Sequence, residues 1–262
     1  MKHSFSILLL VILGVTCVFL TSCKKKSAGS EGGSASGATP SGIQKKLVIG
    51  TCAEFPPFEF FGADGSVQGI DIDLMSAIAK KLNMELVIEN MDFNQIIGKV
   101  VDGTLDVGAA GITVNEERMK IVDFSTGYYS GCQVMIVPNH SEIKGKDDLR
   151  GKVVSVQSGA TGESLAKELQ LDIVSFPRAS DAVLAVLHNN ADVAIMDDEP
   201  AKRFQTKNSI RIKILPEKLT VEVYGLAVNK KNARLLDDLN RCLDEMTKNG
   251  ELDAIFGKWM HN

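Results

Sequence analysis

The sequence predicts an α/β protein of mostly parallel sheets flanked by helices. Three observations predict it. From Lys46 to Phe124, short apolar runs alternate with amphipathic segments in the order β–α–β–α–β, joined by short links. A second cycle of the same kind begins at Asp147. A late apolar run, Val221 to Val228, then brings the chain back towards the first cycle, and two helical segments close the sequence.

The first residues stand apart from that pattern. Lys2 opens a positive stretch, and Ser6 to Leu20 is an apolar run too short for a comfortable membrane span, the form of a secretory signal. It ends in Leu20-Thr-Ser-Cys23, which resembles the lipobox of bacterial lipoproteins. The resemblance implies cleavage before Cys23 and diacylglycerol on its thiol, which makes residues 1–22 a signal peptide. Lys24, Lys25 and Lys26 would meet anionic headgroups and add a basic patch to the lipid chain. Ser27 to Gly42 is rich in Gly, Ser and Ala, so residues 23–44 read as the lipidated Cys and a flexible linker. The folded part is predicted to begin near Lys45, in the periplasm or at the cell surface, anchored to a bacterial membrane by its lipid.

In the first cycle, Lys46 to Gly50 reads as a buried strand. Thr51 to Phe61 follows, where Pro56 and Pro57 forbid helix and Phe55, Phe58, Phe60 and Phe61 cluster. Phe55 lies just past a strand end, where open α/β sheets receive ligands. Ala63 to Ser66 reads as a tight hairpin turn. In Gly69 to Leu82, Asp71 or Asp73 is expected to cap a helix whose Leu74, Ile78 and Leu82 share one face. Glu85 to Glu89 reads as a second strand, and Ile96, Ile97, Val100 and Val101 as the face of a second helix. Leu105 to Ala110 reads as a third strand.

Gly111-Ile-Thr-Val-Asn-Glu-Glu-Arg118 comes next. A strand end that opens a short helix through Gly and Thr presents backbone N–H groups and the positive end of the helix dipole, a spot that favours an anion. Arg118 can fork two hydrogen bonds onto a carboxylate, and the Thr113 hydroxyl both donates and accepts. Together these groups suit an α-carboxylate with an α-ammonium beside it. The same octapeptide also reads as a plain joint whose Arg is solvated.

Cys132 to Pro138 reads as an extended segment leaving the first half. Lys152 to Val156 is a predicted strand, and Gln157 to Ser164 a second Gly/Thr-rich turn opening the helix Ser164 to Leu169. A strand at Ile173, a helix over Ser180 to Asn190 and a strand over Asp192 to Met196 follow. The last runs into Asp197-Asp-Glu-Pro200, three acids that read either as solvent-facing or, for one aimed into a cleft, as the partner of an ammonium. Ala233 to Lys248 and Glu251 to Met260 read as helices, the former with Leu235, Leu239, Leu243 and Met246 on one face. Trp259 reads as core against the first half.

Composition narrows the function classes. Of 262 residues, 44% are apolar and 24% charged, which is ordinary for a folded protein, and the net charge of −4 leaves no basic excess for nucleic acid. With Cys17 in the signal and Cys23 lipidated, Cys52, Cys132 and Cys242 form neither a disulfide framework nor a zinc pattern, and the four His are scattered. No metal or cofactor is expected.

Six features together resemble the bacterial extracellular solute-binding proteins of the polar amino acid type. They are Phe55-Pro-Pro-Phe, the Gly-apolar-acid-apolar-acid-apolar run from Gly69, Gly111-Ile-Thr through Arg118, Ser158-Gly-Ala-Thr-Gly, Asp197 with Glu199-Pro200, and Tyr224-Gly. The resemblance spans Lys46 to Trp259. It implies the type 2 periplasmic-binding-protein fold, with two lobes joined by two hinge strands. Residues 45–131 and 223–262 would form lobe 1 and residues 132–222 lobe 2. It also implies a single L-amino acid, polar or basic, held between the lobes and delivered to an ABC transporter permease by a protein that is expected to be monomeric. Carried over by position, Arg118 would pair with the α-carboxylate, assisted by N–H groups near Thr113 and Thr161. Asp197 would pair with the α-ammonium, helped by Gly111 and the Thr113 hydroxyl. Phe55 and Phe93 would flank the ligand side chain, and Gln157 and Glu54 would touch its far end. Cys52, Ala110, Ala160, Gly162 and Tyr224 complete the candidate contacts. Several relatives carry Asp where this chain has Cys52, which leaves a neutral polar or aromatic-compatible ligand as open as a basic one.

The same fold hosts a cyclohexadienyl-type dehydratase, so an enzyme is the alternative, and a ligand-sensing module is a third reading. An Arg, an Asp, hydroxyls and two Phe suit recognition of a zwitterion better than proton transfer to a leaving hydroxyl. No catalytic residue is therefore assigned.

Overall fold

The structure is a computed structural model that describes residues 45–260. The signal, lipidation and linker expectations, Cys23 included, lie outside the described residues.

The first half opens with β1 (Lys46–Thr51) and a small antiparallel sheet of β2 (Glu54–Phe55), β3 (Glu59–Phe61) and β4 (Val67–Gln68). Then come α1 (Ile70–Lys81), β5 (Glu85–Asn90), α2 (Phe93–Asp102), β6 (Val107–Gly108), α3 (Glu116–Met119) and β7 (Val122–Phe124). The short strand β8 (Tyr129–Gly131) crosses to the second half. That half comprises β9 (Gln133–Pro138), a 3-10 turn (Lys146–Leu149), β10 (Val153–Gln157), α4 (Thr161–Glu168), β11 (Asp172–Phe176), α5 (Ala179–Leu187), β12 (Val193–Asp197), α6 (Asp198–Lys207) and β13 (Ile212–Ile214). Strand β14 (Glu222–Tyr224) crosses back beside β8, with Glu222 opposite Gly131 and Tyr224 opposite Tyr129. β15 (Ala227–Asn229), α7 (Ala233–Lys248) and α8 (Glu251–Met260) complete the chain.

The two main sheets share one plan. Their orders are β5-β1-β6-β15-β7 and β11-β10-β12-β9-β13. In each, three neighbouring strands run parallel, the fourth is antiparallel to both its neighbours, and the fifth points with the first three. The fourth strand is β15 in one sheet and β9 in the other, and each is the strand that directly follows a crossing. All five residues of β12 are buried, as expected of a strand covered on both faces.

Helix ends follow local chemistry. α7 starts where the Asn232 side chain accepts the Leu235 N–H, and it buries Leu235, Leu239, Cys242, Leu243 and Met246 on one stripe. α2 buries Phe93, Ile96 and Val100 and stops at Gly103, which adopts φ 82°. Val101, expected on that buried face, is 42% exposed because it sits one position round the helix from Val100. Trp259 is partly buried at the edge of the first half, its ring meeting Phe60 edge-on at 5.5 Å.

Several expectations need correction. Neither Asp71 nor Asp73 caps α1, whose N-cap is Gly69. Both acids lie in the first turn, where the helix dipole favours them, but their side chains reach away. Asp71 is fully buried and accepts from the Gly111 N–H at 2.8 Å and from the Tyr128 hydroxyl at 2.8 Å. Asp73 accepts from Lys258 Nζ and Trp259 Nε1, both at 2.7 Å, and so ties α8 to α1. The Val221 to Val228 run divides into β14 and β15, since Gly225 turns the chain between the crossing and the first sheet. The third strand shortens to Val107–Gly108, and α4 begins at Thr161 rather than Ser164.

Gly69 fixes the approach of α1 to the aromatic loop. Its φ is 136°, and a Cβ there would stand 2.2 Å from the Phe58 carbonyl oxygen. Gly69→Ala is expected to lower stability by about 2–4 kcal/mol, through a backbone region open to glycine and a clash with rigid main chain. Denaturant titration with an unchanged m value is the check.

Candidate binding cleft

Four parallel strands, two from each sheet, end at one place. β1 runs out into Cys52, Glu54 and Phe55, β6 into Ala110, Gly111 and Thr113, β10 ends at Gln157 and β12 at Asp197. A cleft beyond the carboxyl ends of parallel strands is the general ligand position of open α/β sheets. Twelve residues line it: Cys52, Phe55, Glu59, Phe93, Ala110, Gly111, Thr113, Arg118, Gln157, Ala160, Thr161 and Asp197. All eight principal candidates from the sequence are among them, together with Cys52, Ala110 and Ala160. The residual cavity is about 10 Å³, the room one water needs.

The cleft is narrow because the halves touch across it. Arg118 donates from Nη1 to the Thr113 carbonyl at 2.7 Å and from Nη2 to the Gly159 carbonyl of the second half at 2.9 Å. Its guanidinium carbon lies 5.4 Å from the centre of the Phe93 ring, within cation–π range. Burial weakens its hold on a proton, and the negative groups of Glu222 and Asp197 oppose that effect. Gln157 Nε2 approaches Cys52 Sγ at 3.8 Å. Burial pushes the Cys52 thiol up to about 11, so it stays protonated.

The acidic side of the cleft is denser than the sequence reading allowed. Asp197 is 5% exposed and accepts the Tyr224 hydroxyl at 2.5 Å. Burial, and then the neighbouring Glu222, push the Asp197 carboxyl up to about 7, while the bonds from Tyr224 and Gln133 pull it down. Glu222 lies behind Thr113 and Thr161, and its Oε2 accepts their hydroxyls at 2.6 and 2.9 Å. Glu59, on β3, is fully buried and lines the cleft, and neither of its carboxyl oxygens has a hydrogen-bond partner among the described residues. Burial first, and then the charge of Asp71, raise it well above the usual carboxylate range.

Three candidates stand outside the lining. Tyr224 donates its hydroxyl to Asp197. Gly162 packs the start of α4 against the second sheet, where a Cβ would come 2.8 Å from Gln133 Oε1 and 2.9 Å from the Ile195 carbonyl. Glu54 bridges the halves beside the cleft, paired with Arg178 at 3.2 Å and accepting Ser180 Oγ at 2.8 Å. The expected anion site at the start of a helix after Thr113 is altered too. α3 has four residues, and the Asn115 side chain already accepts the Arg118 N–H. Sequence reasoning missed Glu59 and Glu222. Each is a single acid in an apolar stretch, Phe-Glu-Phe-Phe and Val-Glu-Val-Tyr, and that placement was the available signal.

Residues 47–262 match the family model of the bacterial extracellular solute-binding proteins, family 3. The arginine-binding extracellular protein ArtP of Bacillus subtilis is 33% identical over 257 residues, covering 96% of both chains. The holo form of an arginine-binding protein from T. maritima superposes with a TM-score of 0.76 at 36% identity, covering 82% of this chain and 96% of that one. An ancestral arginine-binding protein bound to glutamine gives a TM-score of 0.80 at 38% identity, over 84% and 100% of the two chains. Two sheets with matching plans, a cleft at their strand ends and these likenesses agree: the chain belongs to the bacterial extracellular solute-binding proteins of family 3 and has a solute-binding role.

Proposed function

We propose that the cleft takes one L-amino acid with a cationic side chain, and that the protein presents it to the permease of an ABC importer. The observation that carries this reading is Glu59. A buried carboxyl with two unpartnered oxygens is costly, and a guanidinium or ammonium brought to it offsets that cost with charge-assisted bonds. Relatives whose names give arginine as their solute support the same class.

Each group then has one task. Arg118 takes the α-carboxylate, giving up its bonds to the Thr113 and Gly159 carbonyls, and the Thr161 N–H at the start of α4 assists. Asp197 takes the α-ammonium. Phe55 and Phe93 hold the aliphatic stem between their rings, and Glu59 meets the cation at its end. Arg118 and Asp197 belong to different halves, so a zwitterion spanning them favours the joined arrangement by its differential affinity. A cavity of about 10 Å³ is too small for such a ligand, so the halves part for entry, with the β8–β14 pair as the natural hinge. Lipidation at Cys23 would keep the protein beside its permease; Cys23→Ala is expected to move it from the membrane to the soluble fraction, and retention on the membrane would refute the anchor.

Calorimetry with L-arginine and L-glutamine tests the site. Arg118→Ala is expected to weaken both by about 3 kcal/mol or more, since each loses its carboxylate partner. Glu59→Gln is expected to weaken arginine by about tenfold or more and to spare glutamine. Equal losses for the two ligands would sink the role given to Glu59.

Affinity should also depend on pH, with a definite sign. The Asp197 carboxyl titrates at about 7, and an ammonium binds only its ionised form. With L-glutamine, which brings no cation to Glu59, affinity is therefore expected to be level just above pH 7 and to fall by up to about tenfold per unit below it. Asp197→Asn is expected to weaken binding at pH 8 and to flatten this profile; an undiminished slope in that variant would assign the titration elsewhere.

A further inference from the structure

Glu222 is absent from the cleft lining, yet it holds the hydroxyls of two residues that belong to it. It is 3% exposed on the returning strand β14. Its Oε2 accepts Thr113 Oγ1 at 2.6 Å and Thr161 Oγ1 at 2.9 Å, and its Oε1 accepts Thr220 Oγ1 at 3.1 Å. Thr113 comes from the first half and Thr161 from the second, so one oxygen atom collects a hydroxyl from each side.

A threonine hydroxyl has one proton and two lone pairs. Once the proton is committed to a carboxyl, every other direction around that oxygen can only accept. The Thr161 oxygen already accepts from Gln133 Nε2 at 3.1 Å. Thr113 lines the cleft, and no donor reaches its hydroxyl oxygen among the described residues. An ammonium group has three protons to give and no lone pair, so an oxygen locked as an acceptor suits it. A hydroxyl free to rotate would also turn its proton towards the cleft and meet the ammonium with the wrong polarity.

We propose that Glu222 is a positioning residue for the solute's α-ammonium: by holding the hydroxyl protons of Thr113 and Thr161, it makes Thr113 Oγ1 a fixed acceptor beside Asp197. The inference rests on the amino acid reading above and adds a residue that reading does not use. It also links recognition to closure. Thr113 and Thr161 meet on one Glu222 oxygen only when the halves are together, so the acceptor is fully set in the joined arrangement. The charged and titratable groups facing Glu222 are Asp197 on β12, Arg118 on α3 and Tyr224 on its own strand.

A double-mutant cycle read by calorimetry with L-arginine tests this. Glu222→Gln is expected to weaken binding by about tenfold, because a neutral acceptor holds the hydroxyls less firmly. Thr113→Val is expected to weaken it by about tenfold or more, and Thr113→Ser, which keeps the hydroxyl, to stay within about threefold of wild type. The Glu222→Gln/Thr113→Val pair is expected to bind no more than about twofold weaker than Thr113→Val alone, since Glu222 acts through that hydroxyl. Losses that multiply, or a Thr113→Ser variant as weak as Thr113→Val, would overturn the proposal. Melting the variants without ligand separates a merely structural role, which would lower the midpoint and weaken every variant independently of Thr113. Should Glu222→Gln not fold, Glu222→Asp takes its place in the cycle with the same expected non-additivity. Wild-type protein that binds arginine and shows multiplying losses defeats this inference alone. Wild-type protein that binds none of the twenty L-amino acids defeats the underlying reading and this inference with it.

Discussion

The carboxyl group of Asp71 is the constraint on which the cleft depends. It sits in the first turn of α1, fully buried, and takes the Gly111 N–H and the Tyr128 hydroxyl at hydrogen-bond distance. Gly111 opens the loop that carries Thr113 and Arg118, and Tyr128 adjoins the first crossing strand. One acid therefore fixes a helix, the loop that carries Arg118 and the approach to the first crossing strand to each other. Burial lifts it to about 6, while the two donors that it orders pull the other way. Gly111 itself adopts φ 54° and leaves 3.0 Å between its missing Cβ and the Phe55 ring, so the loop passes close beneath the aromatic wall.

Around that fixed point the electrostatics are lopsided. Four carboxyls are buried at or just behind the cleft, on Glu59, Asp71, Asp197 and Glu222, against one guanidinium, on Arg118. Tyr224 and Tyr128 hydroxyls and three threonine hydroxyls satisfy some of them, but Glu59 has no such help. In a medium of low effective dielectric, burial raises the Glu59, Asp71 and Asp197 carboxyls, and a cation brought among them favours their ionised forms. The cationic solute proposed above would meet this imbalance at Glu59, its unpartnered member.

Much of this was legible in the sequence, because the signals there are local. Alternating apolar runs mark both sheets, and the α7 stripe from Leu235 to Met246 reads directly as a helix face. Arg118, Thr113 and Asp197 stand at strand ends, where chemistry is expected, and the structure brings them to one cleft. The misses have a common cause. Asp71 and Asp73 carry every mark of helix caps, yet tertiary partners 40 and 185 residues away claim their side chains. Glu59 and Glu222 look like solvent-facing members of alternating strands until the fold covers both faces. Periodicity reports which side a residue faces, and only the assembled fold reveals what stands opposite.

The strand order has a consequence for how the chain is made. β15 sits between β6 and β7, so the first sheet lacks its fourth strand until Asn229 has been synthesised. The second sheet draws only on the contiguous stretch from Gln133 to Ile214 and so has all its strands before that point. In a chain that emerges and matures from its amino terminus onward, this order is reversed: the later half can finish first, while the earlier half waits with β6 and β7 unjoined. A chaperone or protease that meets the emerging chain in that interval would find exposed strand edges on the amino-terminal side and a completed sheet behind them.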